Sequence, residues 1–135
     1  MWAAMRNFMH GTGHGVGFCL NVHEGPQNIS RTNSELHKPG MITTIEPGLY
    51  RPGEYGIRIE NMVLCQDAGS SEFGSFLKFD TLTRCPINTR LVKKDLLDEK
   101  EIKWLNEFNS LARKELIDDL SEKEKEWLVN ECRPL

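Results

Sequence analysis

The stretch His10-Gly11-Thr12-Gly13-His14-Gly15-Val16-Gly17, with His23-Glu24-Gly25-Pro26 shortly after it, decides how the chain is read. Three of the four histidines and five of the eleven glycines fall within it. Glycine at every second position removes the Cβ atoms that would hold a backbone off a ligand, and it admits backbone angles that other residues avoid. Such a sequence is a poor helix and a good binding loop. If the stretch is extended, His10, Thr12 and His14 point to one side and the glycines to the other. Two imidazoles then face one place, as a metal or catalytic site requires. A phosphate cradle is disfavoured, because no Gly-Lys-Ser/Thr follows and no strand-then-helix pattern frames the glycines.

Downstream of His23, the polar, turn-rich segment from Gly25 to Gly40 reads as a loop. Met41-Ile42-Thr43-Thr44-Ile45-Glu46 has the β-branched composition of a strand, with Ile42, Thr44 and Glu46 on one face. Pro47-Gly48 ends it and leaves Glu46 at its tip. A turn at Arg51-Pro52-Gly53 leads into a second strand, Gly56 to Leu64, in which Ile57, Ile59 and Val63 share a face and are expected to pack on a core. The run Met62-Val63-Leu64-Cys65 is apolar on both faces and implies a strand covered on both sides. Glu60 is then expected to be partly buried, and a buried carboxylate needs a cation or a metal to hold its charge. Residues 76–85 form a third strand pattern, separated from the second by a Gly/Ser-rich turn between Asp67 and Ser75.

From Asp95 the composition changes to helix. Twelve of the twenty acidic and nine of the seventeen basic residues lie between Lys93 and the end. Asp98-x-x-Glu101 is a capping box, and Ile102, Leu105, Phe108, Leu111/Ala112 and Leu116 form an apolar stripe that Trp104 widens. Ser121-x-x-Glu124 starts a shorter helix with Trp127, Leu128 and Cys132, ended by Arg133-Pro134. The tail carries no visible chemistry, and its expected role is to cover a sheet. Met1 to Met9 are apolar with helix-compatible composition, and Met1-Trp2-Ala3-Ala4-Met5 reads as the end of a helix whose beginning lies outside the sequence.

At 135 residues and net charge −3, the chain has the composition of an ordinary soluble domain. No basic block is longer than two residues and no apolar run reaches the ~18 needed for a membrane span, so nucleic acid and membrane are not expected partners. No signal peptide opens the chain, and the expected location is cytoplasmic. Cys19, Cys65, Cys85 and Cys132 include no Cys-x-x-Cys pair, which argues against a thiolate zinc site.

Glu46 and Glu60 come from neighbouring strand patterns joined by a short turn. Together with His14 they make one imidazole and two carboxylates, a set suited to Mn²⁺, Fe²⁺, Co²⁺ or Zn²⁺. Bridging carboxylates are what two-metal hydrolases use. Three ligands are nonetheless too few for two ions.

Five ordered motifs span essentially the whole chain: His10-Gly-Thr-Gly-His14-Gly-Val-Gly, Asn21-Val-His23-Glu-Gly-Pro26, Pro39-Gly-Met41, Glu46-Pro-Gly-x-Tyr50 and Tyr55-Gly-Ile-Arg-Ile-Glu60-Asn61. Together they resemble the second half of a pita-bread metallopeptidase, most closely the Xaa-Pro aminopeptidase (aminopeptidase P) family. The tail is similar to the C-terminal extension of that family's long forms. The resemblance implies an α+β fold, the second half of a pita-bread fold, with an antiparallel curved sheet covered by helices and a C-terminal two-helix tail. The 135 residues would be the C-terminal half of the catalytic domain, with residues 1–92 carrying the site and 93–135 the helical extension.

The same resemblance implies His14, Glu46 and Glu60 as metal ligands, with Glu60 bridging two divalent ions, Mn²⁺ first and Zn²⁺ or Co²⁺ as alternatives. Glu46 would also handle the proton of the attacking metal-bound water. His23 would hold the substrate carbonyl as it becomes an oxyanion, His10 would line the proline pocket, and Arg58 would orient a carboxylate and help bind substrate. The substrates would be peptides with proline in second place, and the protein would form a homo-oligomer, a dimer. The family's two aspartate ligands have no counterpart here, since no Asp precedes Asp67. The chain alone is therefore expected to be inactive, with metal bound weakly or not at all. Alternatives within the superfamily are a prolidase-type dipeptidase and a non-catalytic peptide-binding module.

Overall fold

The computed structural model describes residues 8–19 and 21–135. The helix end expected over Met1 to Met5 lies outside them. Among the described residues the architecture is α+β, with seven strands followed by two α-helices: β1 (Gly13–His14), β2 (Asn28–Ile29), β3 (Ile42–Ile45), β4 (Gly48–Arg51), β5 (Tyr55–Arg58), β6 (Asn61–Ser71), β7 (Gly74–Thr81), α1 (Glu99–Leu116) and α2 (Glu122–Glu131). Every strand pairing is antiparallel. The chain divides into two compact units, Met1–Thr83 and Arg84–Leu135.

In the first unit, β3-β6-β7 form a three-stranded sheet, and β1-β2 and β4-β5 form two small ribbons. The register sets Ile42 opposite Leu64 and Ile45 opposite Asn61. The β-branched run Ile42-Thr43-Thr44-Ile45 fits a pleated, half-buried surface, and Thr43 and Thr44 are buried. Val63 and Cys65 on β6 are the buried apolar side chains among the described residues of this unit. Two of the buried polar side chains beside them are paired: Gln27 Nε2 donates to the Ile42 carbonyl at 3.0 Å, and Thr43 Oγ1 lies 3.2 Å from His37 Nε2. Such groups are costly to bury unless bonded.

Two expectations need correction. The single strand read from Gly56 to Leu64 is two strands: β5 pairs with β4, β6 pairs with β3 and β7, and Ile59-Glu60 is the break between them. Ile57 and Ile59 are therefore about half exposed instead of packed on a core, and Glu60 is exposed. The alternation pattern failed here because a change of partner strand interrupts it without a proline or glycine to mark the place. The turn expected between Asp67 and Ser75 is also shorter. β6 runs on to Ser71 and β7 begins at Gly74, whose φ of 127° suits glycine, with a register shift between Asp67 and Ser70 absorbing the irregularity. Phe76, Leu77 and Phe79 on β7 are each 44–50% exposed.

The second unit is built on α1 and α2. Both halves of the expected capping box close α1: Glu101 N donates to Asp98 Oδ1 at 2.8 Å, and Asp98 N donates to Glu101 Oε2 at 2.9 Å. Leu105, Asn109 and Ala112 are the buried line of α1, at i, i+4 and i+7. Trp104 and Leu111 of the expected stripe lie on the exposed side, where Trp104 stacks on Phe108 with ring centroids 5.5 Å apart. Leu128 and Cys132 are buried at the far end of α2. The buried amide of Asn109 clamps Ile87, accepting from its N–H at 2.8 Å and donating to its carbonyl at 3.0 Å. Neither helix is long and apolar enough to cross a membrane.

Candidate metal centre

The glycine-rich segment is laid directly against β3. Glu46 N donates to the Thr12 carbonyl at 2.7 Å, Val16 N donates to the Ile42 carbonyl at 3.1 Å, and Gly15 bridges Thr43. The approach is too close for any other residue at Gly13, where a Cβ would lie 1.8 Å from the Thr44 carbonyl oxygen. This contact brings His14 from the loop to Glu46 at the end of β3.

Thr44 couples the two. Its hydroxyl accepts from His14 N at 2.9 Å and donates to Glu46 Oε1 at 3.2 Å. His14 Nδ1 lies 3.0 Å from the Gly15 carbonyl, which can only accept, so Nδ1 carries a proton. The other ring nitrogen, Nε2, then faces Glu46 Oε1 at 3.1 Å. An imidazole lone pair and a carboxylate oxygen that close hold together only through a cation, either a proton on Nε2 or a metal ion. A histidine whose second nitrogen is tied to a backbone carbonyl is also how metal-ligating imidazoles are ordinarily held. Glu60 completes the group: one donor atom each from His14, Glu46 and Glu60 lie within 4.8 Å of one another. One nitrogen and carboxylate oxygens fit a divalent ion of the Mn²⁺ to Zn²⁺ range.

A second chain of contacts leads away from Glu46. Arg58 Nη1 lies 3.0 Å from Glu46 Oε2, and Arg58 Nε donates to Tyr50 Oη at 2.9 Å. Tyr50 Oη is 2.9 Å from His10 Nε2, while His10 Nδ1 lies 2.6 Å from the Gly11 carbonyl. His10 Nδ1 is therefore the donor to Gly11, and Nε2 accepts from the tyrosine hydroxyl. The Tyr50 hydroxyl beside Arg58, and after it the carboxylates of Glu46 and Glu60, hold the guanidinium pKa above its ordinary value, with desolvation opposing.

These residues line one cleft of about 290 Å³, which His10, His14, His23, Glu46 and Arg58 all enter. The rings of His14 and His23 are 4.1 Å apart between centroids, tilted by 45°. Every residue singled out from the sequence for a site is thus either in this cleft or, for Glu60, in the donor cluster. Two positioning residues were not singled out. Thr44 was placed on the face of Glu46 by alternation, and that was the signal available for it. Tyr50 was quoted in a motif, and nothing in its sequence context told that its hydroxyl sits between Arg58 and His10.

Two family models match the chain: metallopeptidase family M24 over residues 1–67, and the C-terminal region of peptidase M24 over residues 75–135. The chain is 44% identical over 144 residues to Xaa-Pro aminopeptidase app-1 of Caenorhabditis elegans, with all of this chain and 23% of that protein covered. It is 42% identical over 142 residues to aminopeptidase P2 of Arabidopsis thaliana, with all of this chain and 20% of that protein covered. The chain therefore spans between a fifth and a quarter of the length of these relatives. Among solved structures it is similar to X-prolyl aminopeptidase from Caenorhabditis elegans, described as a cytosolic enzyme with a di-nuclear active site. The TM-score is 0.84 at 45% identity, over 99% of this chain and 22% of that one.

Proposed function

Because this chain belongs to metallopeptidase family M24 and carries part of its pita-bread fold, we propose that the protein containing it is a two-metal aminopeptidase that releases the N-terminal residue preceding proline. The observation that carries this reading is the convergence of His14, Glu46 and Glu60 donor atoms within 4.8 Å. It stands beside relatives over 40% identical across the whole chain that bear the name of that activity.

In this reading His14, Glu46 and Glu60 hold the ions, with Mn²⁺ the first choice of metal, and further ligands come from outside these 135 residues. The ions, when bound, lower the pKa of a water and polarise the scissile carbonyl. Glu46 takes the proton of the attacking water and returns it to the leaving proline nitrogen. Its second oxygen is tied to Arg58, so one oxygen is fixed while the other faces the reacting atoms. His23, beside His14, donates to the oxygen on which negative charge grows, a contact that matters most in the transition state. His10 lines the pocket for proline, held by Gly11 and Tyr50 so that its ring edge is preset.

Three protein donors cannot hold two ions, so the 135-residue chain alone is inactive and binds metal weakly. The cytosolic setting described for the nematode enzyme is carried over to this protein, as is a dimeric state expected from the family resemblance.

The test is a calorimetric Mn²⁺ titration of the 135-residue chain beside a version extended upstream to the relatives' length, with both assayed on Xaa-Pro-Xaa peptides. Tight binding and release of the first residue by the extended protein alone is the expected outcome. Cleavage confined to Xaa-Pro dipeptides would instead point to a dipeptidase, and tight binding by the short chain would refute its inertness.

A further inference from the structure

Two of the four cysteines lie together in the second unit, far in chemistry from the proposed metal ligands. The segment that follows Thr83 is fastened to the helices at several points. Arg84 pairs with Glu115 on α1, Ile87 is clamped by Asn109 on α1, and Asn88 and Arg90 both reach Glu131 at the end of α2. Cys85 falls between the first two of these fastenings, so it crosses α1 between the levels of Asn109 and Glu115. Cys132 adjoins Glu131 and lies against Arg113, within the same stretch of α1. Through Asn88 and Arg90 on Glu131, the residue before Cys132, and through Ile87 on Asn109, the segment that begins at Cys85 is held against the end of α2 and the adjoining face of α1. Their settings differ: Cys85 is exposed, whereas Cys132 is 5% exposed, and both are free thiols. Burial raises the Cys132 thiol above its ordinary range, with Arg113 opposing.

We propose that Cys85 and Cys132 are a peroxide-sensitive dithiol, in which the exposed thiol meets the oxidant and the buried one captures it as a disulfide. The oxidant is hydrogen peroxide. The Cys85 sulfur attacks one peroxide oxygen, the O–O bond breaks, and water leaves behind a sulfenic acid. The Cys132 sulfur then displaces that oxygen as a second water, forming the S–S bond. Two thiols and one peroxide give one disulfide and two waters, with one electron drawn from each sulfur. The product fastens the Arg84–Arg90 segment covalently to the end of α2, and a small dithiol reverses it.

The experiment treats the folded chain with one equivalent of hydrogen peroxide, blocks remaining thiols with N-ethylmaleimide and maps the tryptic peptides. The expected result is a loss of two hydrogen atoms in intact mass and a linked pair of peptides, 85–90 with 126–135. Linkage should be at least about tenfold faster in the folded chain than in guanidinium chloride, since folding holds the thiols together. Cys85→Ser, at an exposed position, should abolish it without affecting folding. Cys132→Ser, if it folds, should leave a Cys85 sulfenic acid that dimedone traps. The proposal fails if Cys85 links instead to Cys19 or to a second molecule, if Cys85 advances to sulfinic acid while Cys132 stays reduced, or if unfolding does not slow the linkage.

Discussion

Arg58 and Glu46 meet at 3.0 Å, Nη1 to Oε2, while the other oxygen of the same carboxylate faces His14 Nε2 at 3.1 Å. One carboxylate is thus divided between a fixed cation and the proposed metal position. Arg58→Ala should leave Glu46 held through Oε1 alone, by Thr44 and His14, and lower Mn²⁺ affinity of the upstream-extended protein by about tenfold to a hundredfold, the usual cost of losing a partner of a ligand. Arg58→Lys keeps the charge but loses the fork that reaches Glu46 and Tyr50 together, so it should fall between the two. Calorimetric titration of the three proteins tests this, and equal affinities would remove Arg58 from the site.

Tyr50 transmits the position of Arg58 to His10. Tyr50→Phe removes the hydroxyl that accepts from Arg58 Nε and donates to His10 Nε2. The expected loss in kcat/KM of the extended protein is about tenfold, as for one hydrogen bond to a charged group at a half-exposed site. Nitrogen NMR shifts of His10 read the same change without turnover. In both proteins the bond to the Gly11 carbonyl keeps the proton on Nδ1, and the expected change in Tyr50→Phe is a shift of the Nε2 signal as that nitrogen loses the tyrosine donor.

Much of this arrangement was legible in the residues, and what was not has a definable cause. The capping box at Asp98 and Glu101 and the strand ending at Glu46 rest on local rules of spacing and composition, and both stand in the structure. The break at Ile59-Glu60 was missed because nothing local distinguishes a strand that changes partners from one that continues. The clamp of Asn109 on Ile87 was missed because an asparagine in an apolar stripe reads as a polar interruption, although its amide satisfies a backbone that would otherwise be buried unbonded. Within the site, alternation set Thr44 beside Glu46, but the coupling of Thr44 to His14 depends on how closely the glycine segment approaches β3, a distance between residues thirty positions apart.

That approach makes the glycines unequal. A methyl group at Gly13 would lie 1.8 Å from the Thr44 carbonyl oxygen, and one at Gly15 would lie 2.0 Å from the Glu24 carbonyl oxygen, both rigid backbone. At Gly11 the nearest atom is 3.4 Å away, an ordinary contact. Gly13→Ala and Gly15→Ala should each cost at least about 3 kcal/mol, the range of severe overpacking. Gly11→Ala should change stability by less than about 1 kcal/mol. Thermal melts rank the three, and a Gly13→Ala protein as stable as Gly11→Ala would mean that β3 and the loop are not in contact as described.

The start of α2 should respond to acid. Ser121 Oγ and N both donate to Glu124 Oε2, at 2.6 and 2.9 Å, and these bonds lower the Glu124 pKa below its ordinary value, the side-chain bond most. A carboxylate whose folded pKa is depressed favours the folded form above its unfolded pKa and loses that contribution as pH falls through the folded value. The first turn of α2 should therefore be intact at neutral pH and fray only in acid below the ordinary carboxylate range. Because Glu124 is fully exposed, the effect stays local instead of unfolding the unit. Amide hydrogen exchange of residues 122–125 against pH reads it directly. Ser121→Ala should raise exchange in that turn at neutral pH and flatten its dependence on pH. An unaltered pH profile in that variant would show that the hydroxyl of Ser121 does not hold the carboxylate.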